Sequence, residues 1–440
     1  MSRLDTFAVR RLGPATHASP LQLATTSTEG IPRWVDDDVR VLAEIEVSSQ
    51  RAEPPPATFE KAGPRARLYF DPARTHAAIV TCGGLAPGLN NVIRSLVLEL
   101  HHRYGVRRVT GFRYGFEGLT TSGVPPVALD PEAARAIHLF GGTSLGTSRG
   151  PQDPEEMART LLDRKVDVLF GIGGDGTMRA LHAISGALAR RGAKVAVIGI
   201  PKTIDNDILH VDQTFGFETA CEIARQAIAA AHTEAIATRN GVGLVKLMGR
   251  DAGFIAAHAT VASRDVNACL IPEAPLSLEG EGGFYAWLVA RLRARGHAVV
   301  VVAEGCAARL LDAAGAARDA SGNIRYELVD VGHFLRDGIH AHLAAQNLAF
   351  ALKYVDPSYM IRGVPANALD AALADTLARH AVHAAMAGRT DVLVGRAHRV
   401  FTHVPLEAVL EGKRIVDTTG ALWLAVLEAT GQPRFSGAAG

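Results

Sequence analysis

The stretch VDVLFGIGGDGT, Val166 to Thr177, decides the fold. Its first half is a short apolar run and its second a glycine loop, so it reads as a strand that turns into a helix. Gly171, Gly173 and Gly176 satisfy the G-x-G-x-x-G spacing that lets backbone approach a pyrophosphate. Asp175, however, places a carboxylate where a pyrophosphate needs only backbone N–H groups. A dinucleotide site also calls for an acid about 20 residues further on, to hold the ribose hydroxyl. Between Thr177 and Ile204 there is no Asp or Glu. Arg190 or Arg191 would suit the phosphate of NADP, but Asp175 would still be out of place. The loop fits a metal and a moving phosphate better than a nicotinamide cofactor.

The same grammar recurs on both sides of this stretch. HAAIVT, from His76, enters a glycine loop, Gly83 to Gly88, and a helix follows with Val92, Ile93, Leu96, Val97 and Leu100 on one face. RRVTGF, KVAVIGI, VGLVKLM (242–248), NACLIP (267–272) and AVVVVAEG (298–305) are further strand-like runs with helical segments between them. Continuous apolar runs imply strands covered on both faces, and their alternation with helices implies parallel, doubly wound sheets. The chain of 440 residues is long enough for two such domains. The expected architecture is α/β, two Rossmann-like doubly wound domains facing a central cleft, with ligands at the carboxyl ends of the strands. Residues 1–75, with prolines at 54–56, read as an N-terminal extension and connector. The nucleotide and metal domain is expected over 76–216, completed by about 361–415; the substrate domain spans 217–360 and a tail follows from 416 to 440. An Ala-rich stretch at 312–320 reads as a surface loop or frayed helix.

Composition narrows the function. With 46 basic and 45 acidic residues the net charge is +1, so a nucleic-acid partner is not expected. No apolar run reaches membrane-spanning or signal-peptide length, and the four cysteines form no C-x-x-C, so a cytoplasmic protein without disulfide framework or zinc site is expected.

The next polar cluster, PKTIDND (Pro201 to Asp207), follows the strand after GIGGDGT. Asp205 and Asp207 are two apart and share one side of an extended segment. If neighbouring strands bring Asp175 near them, three carboxylates converge and call for a divalent cation. Mg²⁺ takes such oxygen ligands and completes its shell with nucleotide phosphates. The bland alternative is that these residues are only caps and turn formers. GGLAPGLNN opens a helix and can receive phosphate on its N–H groups, yet it lacks the G-K-[ST] ending of a Walker A loop. GGTSLGTSRG (141–150) adds a guanidinium, Arg149, suited to phosphate oxygens. His380 and His383, at i, i+3 spacing without an accompanying acid, read as structural.

Taken together, CGGLAPGLN, GGTSLGTSRG, GIGGDGT, PKTIDNDI, TFGFETA, VKLMGRDAGF, LIPEAP, AEG and DPSYMIR resemble the 6-phosphofructokinase family, in family order over about residues 76–365. FEKAGPRARLYF and GQPRF are similar to its plant-type branch. The resemblance implies transfer of a phosphoryl group to the 1-hydroxyl of fructose 6-phosphate, a glycolytic step. It gives Asp205 the role of base and Asp175 and Asp207 that of Mg²⁺ ligands. Gly84, Arg149, Gly174, Asp175, Gly176, Thr177 and Lys202 would meet the donor. Thr203, Asp205, Met248, Gly249, Arg250, Glu304, Lys353, Tyr359 and Arg362 would meet the sugar phosphate, with Arg149, Thr203 and Arg250 beside the reacting group.

The family has two donor classes, and the loop quoted first separates them. ATP-type members carry Gly after the loop Asp, as Gly176 here; pyrophosphate-type members carry a second Asp, which would repel the α-phosphate. Lys202 points the other way, being Lys in pyrophosphate enzymes and Gly in common bacterial ATP enzymes. Plant-type and trypanosome-type ATP enzymes combine the two, as this chain does, so ATP is the expected donor and pyrophosphate the alternative. A lipid or NAD kinase shares the G-G-D-G-[ST] loop but gives no reason for PKTIDND or MGR. A non-catalytic sugar-phosphate-binding paralogue sits poorly with three acids in place. An Arg that bacterial members borrow from a neighbouring subunit is replaced by Gly241, with Arg239 nearby and Lys353 aligned to a second such Arg. The resemblance also implies a homodimer or homotetramer.

Overall fold

The structure is a computed structural model that describes residues 7–25, 32–46, 57–311 and 330–436. The chain forms two compact units. The first takes the described residues up to Thr203, with Ile208–Gly216 and Gly363–Lys413; the second takes Ile204–Asp207, Phe217–Arg362 and the described residues from Arg414 onward. The connector prolines 54–56 and the Ala-rich stretch 312–320 lie outside the described residues.

The first unit is built on a nine-stranded sheet among the described residues, and its parallel centre runs Val392–Ala397, Ala196–Pro201, Val168–Gly173, His76–Thr81, Arg108–Gly111. His76–Thr81, Val168–Gly173 and Ala196–Pro201 are buried at every position, because helices cover both faces. Leu89–Leu98 and Ala368–Met386 pack on Ala77, Ile79, Phe170 and Ile198 of one face. Pro154–Asp163 and Asp175–Arg190 pack on Ala78, Val80, Leu169 and Val197 of the other. Each Val, Leu, Ile or Phe among them removed from water contributes about 1.5–3 kcal/mol, which is why the runs are continuous rather than alternating.

Register brings the functional loops to one edge of this sheet. Pro201 lies opposite Gly173 and Thr81 opposite Ile172, so three strands end level. From His76–Thr81 the chain first adds Arg108–Gly111 on one side and then Val168–Gly173 on the other. That reversal is the switch point at which doubly wound sheets receive ligands.

The N-terminal region is woven into this unit. Thr58–Lys61 pairs antiparallel with Val400–Pro405 and with Arg40–Leu42, extending the sheet. Glu60, 1% exposed, sits at the centre of a charge cluster. Its carboxylate accepts from Arg389 Nε at 2.9 Å, Arg65 Nη2 at 3.1 Å and Arg11 Nη2 at 3.1 Å, and meets His403 Nδ1 at 3.0 Å. Burial alone would push this carboxyl up, but the His403 ring and the Arg389 and Arg65 guanidiniums hold it well below the usual carboxylate range.

Among the described residues, the second unit has a four-stranded parallel sheet in the order Ala268–Leu270, His297–Ala303, Gly241–Leu247, Ala351–Val355. The segment expected as a tail belongs to its fold: Ala421–Thr430 is a helix, and Phe435 packs edge-on to Phe284 with ring centroids 5.7 Å apart. Ile204–Asp207 also groups with this unit, although it follows a strand of the first. The reason is local bonding. Arg250 N donates to Asp205 Oδ2 at 3.2 Å, and Arg414 donates from its backbone N to Asp207 O at 3.0 Å and from Nη1 to Asn206 O at 3.3 Å. Asn206 adopts a left-handed φ of 57°, which an Asn tolerates and which lets the flanking acids turn.

Candidate active site

In the first unit, the Gly83 loop, the 141–150 loop, the Gly173 turn and Lys202 are bound to one another. Thr147 Oγ1 donates to Gly83 O at 2.7 Å, and Lys202 N donates to Gly173 O at 2.9 Å. The Lys202 side chain, 6% exposed, reaches Gly84 O with its Nζ at 2.6 Å. A Cβ on Gly83 would stand 3.5 Å from that Nζ, and one on Gly84 would stand 3.5 Å from an Arg149 guanidinium nitrogen. Two cations therefore converge on one glycine turn. Gly83 itself has φ 80° and Gly88 φ 101°, backbone that favours glycine.

The GIGGDGT loop separates two kinds of glycine. A Cβ at Gly173 would collide with the Thr177 side chain, so packing demands glycine there. At Gly176 a Cβ would meet nothing within 4 Å, and no left-handed φ requires glycine. Protein packing therefore gives no reason for Gly176, and the space it leaves opens to whatever binds. Gly174 caps the helix Asp175–Arg190 with its backbone, so Asp175 stands in the first turn beside N–H groups suited to an anion. Asp175 Oδ2 lies 3.0 Å from Lys413 Nζ. Thr203 is anchored through its carbonyl, which accepts from Thr214 Oγ1.

In the second unit the structure brings together Asp205, Asp207, Arg250, Glu304 and Arg362. The Asp205 carboxyl is pushed up to about 7, by burial first and then by the charges of Asp207 and Glu304, against the pull of the Arg250 N–H and the Arg362 guanidinium. Glu304 is likewise raised by burial, opposed by Arg250, Arg362 and Lys246. The MGR turn is shaped by glycine. Gly249 has φ 121°, and Gly305 N donates to Gly249 O at 3.0 Å, which joins the Met248–Arg250 turn to the AEG turn. Met248 itself is buried at 2% exposure.

Tyr359 is 83% exposed on the short helix Ser358–Gly363, so a place in the core is excluded. Lys353 is not brought to the acid cluster within this chain. It lies opposite Gly243, four residues before the end of the Gly241–Leu247 strand that leads to Arg250, and its Nζ is 3.9 Å from Glu234. A side chain at Gly241 would collide with the Ala235 carbonyl, which accounts for the glycine where bacterial members place an Arg. His383 bonds the Tyr104 hydroxyl through Nδ1 at 2.7 Å in the interior, a structural role as expected.

Lys413 and Arg414 touch the acid loops and escaped sequence reading. Their only local signal is a basic pair after Gly412, and such pairs are common on any surface. Among the described residues no three His, Cys, Asp or Glu side chains gather in the geometry of a metal site, and no helix is long and apolar enough to cross a membrane.

Glycine turns at a switch point, cations on one of them and an acid in the first turn of a helix define an α/β protein equipped to hold phosphate. Comparison with known proteins is specific about which. The phosphofructokinase family profile matches residues 76–385, and the chain belongs to that family. It is 49% identical to an ATP-dependent 6-phosphofructokinase of Amycolatopsis methanolica, over 99% of this chain and 96% of that protein. It is 46% identical to the ATP-dependent 6-phosphofructokinase of Trypanosoma brucei brucei, over 85% of this chain and 77% of that one. Among solved structures, a pyrophosphate-dependent phosphofructokinase from Marinobacter aquaeolei aligns with TM-score 0.65 at 21% identity, covering 78% of this chain and 86% of that chain; at that identity it speaks for the fold alone.

Proposed function

We propose that this chain is an ATP-dependent 6-phosphofructokinase, moving the γ-phosphoryl group of ATP to the 1-hydroxyl of fructose 6-phosphate. The observation that carries the donor assignment is Gly176, which neither packing nor backbone conformation requires and whose open side leaves room for an α-phosphate. Relatives named for the ATP-dependent reaction, at 46–49% identity over most of the chain, support it.

Asp205 is the base that takes the proton of the sugar hydroxyl. Its raised affinity for protons suits it to accept one, and Arg250 N holds its Oδ2 in place. Arg149 and Lys202 orient donor phosphates, and Arg250, Glu304 and Arg362 orient the sugar phosphate. The resemblance assigns Asp175 and Asp207 to Mg²⁺, which needs only one or two carboxylates when phosphates supply the rest of its shell. The ion would neutralise charge on the phosphates during transfer. Tyr359 and Lys353 are assigned to sugar-phosphate binding by resemblance, and Lys353 would serve a neighbouring subunit of a homodimer or homotetramer.

The buried Lys202, reaching Gly84 O, is the one feature that favours pyrophosphate as donor. Turnover of fructose 6-phosphate is to be assayed with ATP and with pyrophosphate, each with Mg²⁺ present and chelated. ATP turnover that requires Mg²⁺ is the expected result; turnover with pyrophosphate alone would overturn the donor assignment.

A further inference from the structure

Asp175 stands in the first turn of a 16-residue helix, where its charge is favoured by the helix N-terminus. Its Oδ2 is nevertheless also matched by a side chain 238 residues away, Lys413, at 3.0 Å. The carboxylate and the ammonium retain 26% and 37% of their side-chain exposure, so the pair sits where a ligand can reach it. The lysine is aimed by its backbone. Lys413 forms an antiparallel bridge with Ile208, which is fully buried. The next residue, Arg414, is fixed in turn by its bonds to the Asn206 and Asp207 carbonyls and by its guanidinium 4.4 Å above the Phe254 ring.

A carboxylate at the mouth of a phosphate-binding turn repels phosphate unless a cation compensates it. We propose that Lys413 is a positioning residue for the donor site, holding Asp175 and keeping that corner near neutral until a divalent ion takes the carboxylate. The inference rests on the reading of Asp175 as a donor-side metal ligand. It deepens that reading by naming a group that nothing in the loop motifs indicates. Its consequence is a split. Loss of the ammonium harms binding of metal-free nucleotide, where Asp175 loses its match at 3.0 Å, more than binding of the magnesium complex, where the ion takes the carboxylate.

The test is calorimetric titration of the full chain with ADP in chelator and with Mg·ADP, and separately with fructose 6-phosphate. For Lys413→Met, metal-free ADP affinity should fall by about tenfold, the scale of a lost charge-assisted contact, and Mg·ADP affinity by about threefold or less. Lys413→Arg should restore both, and fructose 6-phosphate affinity should be unchanged, which also reports that the variant is folded. In the background of Asp175→Asn, the Lys413→Met change should have no further effect on metal-free ADP, because the charge it compensates is gone. Equal losses with and without the ion, or additive effects in the double variant, overturn the inference while leaving the proposed function intact. A wild-type chain that binds fructose 6-phosphate but neither form of ADP overturns both.

Discussion

Glu60 and Asp205 are both acids withdrawn from water, yet the two regions treat them in opposite ways. Around Glu60 stand Arg389, Arg65, Arg11 and His403, and the carboxyl is held ionised far below its usual range. Around Asp205 stand two more acids, Asp207 and Glu304, and the same withdrawal from water raises the carboxyl to about 7. Burial penalises charge in both places; the neighbours decide the sign of the outcome. An acid compensated within the protein is an anchor. An acid under-compensated by the protein is kept for a proton or a ligand cation, and strongly perturbed groups of that kind gather at functional sites.

Removing each acid in turn separates the two regions most sharply. Asp205→Ser should cost about 10³-fold in turnover, within the range for loss of a general base, while fructose 6-phosphate still binds by calorimetry. Turnover within tenfold of wild type would remove Asp205 from the chemistry. Glu60→Gln should leave the assay near wild type per folded molecule but lower stability by about 3–5 kcal/mol, since four cationic or titratable partners lose their anion. A denaturant midpoint close to wild type would show that the cluster is not an anchor.

Adding a carboxylate tests the same contrast from the other side. Gly176→Asp places another under-compensated acid beside the donor site. It should lower kcat/KM for ATP by about 10- to 100-fold through repulsion of phosphate. Because a Cβ there would meet nothing within 4 Å, stability should stay within about 0.5 kcal/mol of wild type. A large stability loss would mean that the glycine serves the fold and not the donor.

The smallest effect is the pH response of the anchor region. His380 is pushed down to about 3, and His383 well below its usual range, by burial and nearby cations; His403 is lowered by burial despite Glu60. These rings are neutral in the folded chain and take protons when unfolded, so the unfolded state gains stability as pH falls. Urea-unfolding stability should therefore be full above about pH 6.5 and decline below it, by at most about 1.4 kcal/mol per pH unit for each ring. Glu60 adds to this loss only at lower pH, below about 4.3, where its unfolded carboxyl begins to protonate. A stability flat from pH 7.5 to 5.5 would contradict the buried histidines.

The sequence by itself determined the strands and glycine turns, because apolar runs and Gly positions act over a few residues and can be read locally. It also supplied the residue types of the candidate site. GIGGDGT and PKTIDND supply the acids, and the open side of Gly176 is a property of a missing side chain. Tertiary structure alone decided how charge is compensated. Glu60 meets Arg389 across 329 residues and Asp175 meets Lys413 across 238, and no periodicity or spacing encodes pairs so far apart. It also decided that Asp205 and Asp207 group with the second unit although they leave a strand of the first, because the N–H groups of Arg250 and Arg414 bind that turn. Residue type states what a group can do; only the partners that folding brings to it state whether it is spent on the fold or left for the ligand.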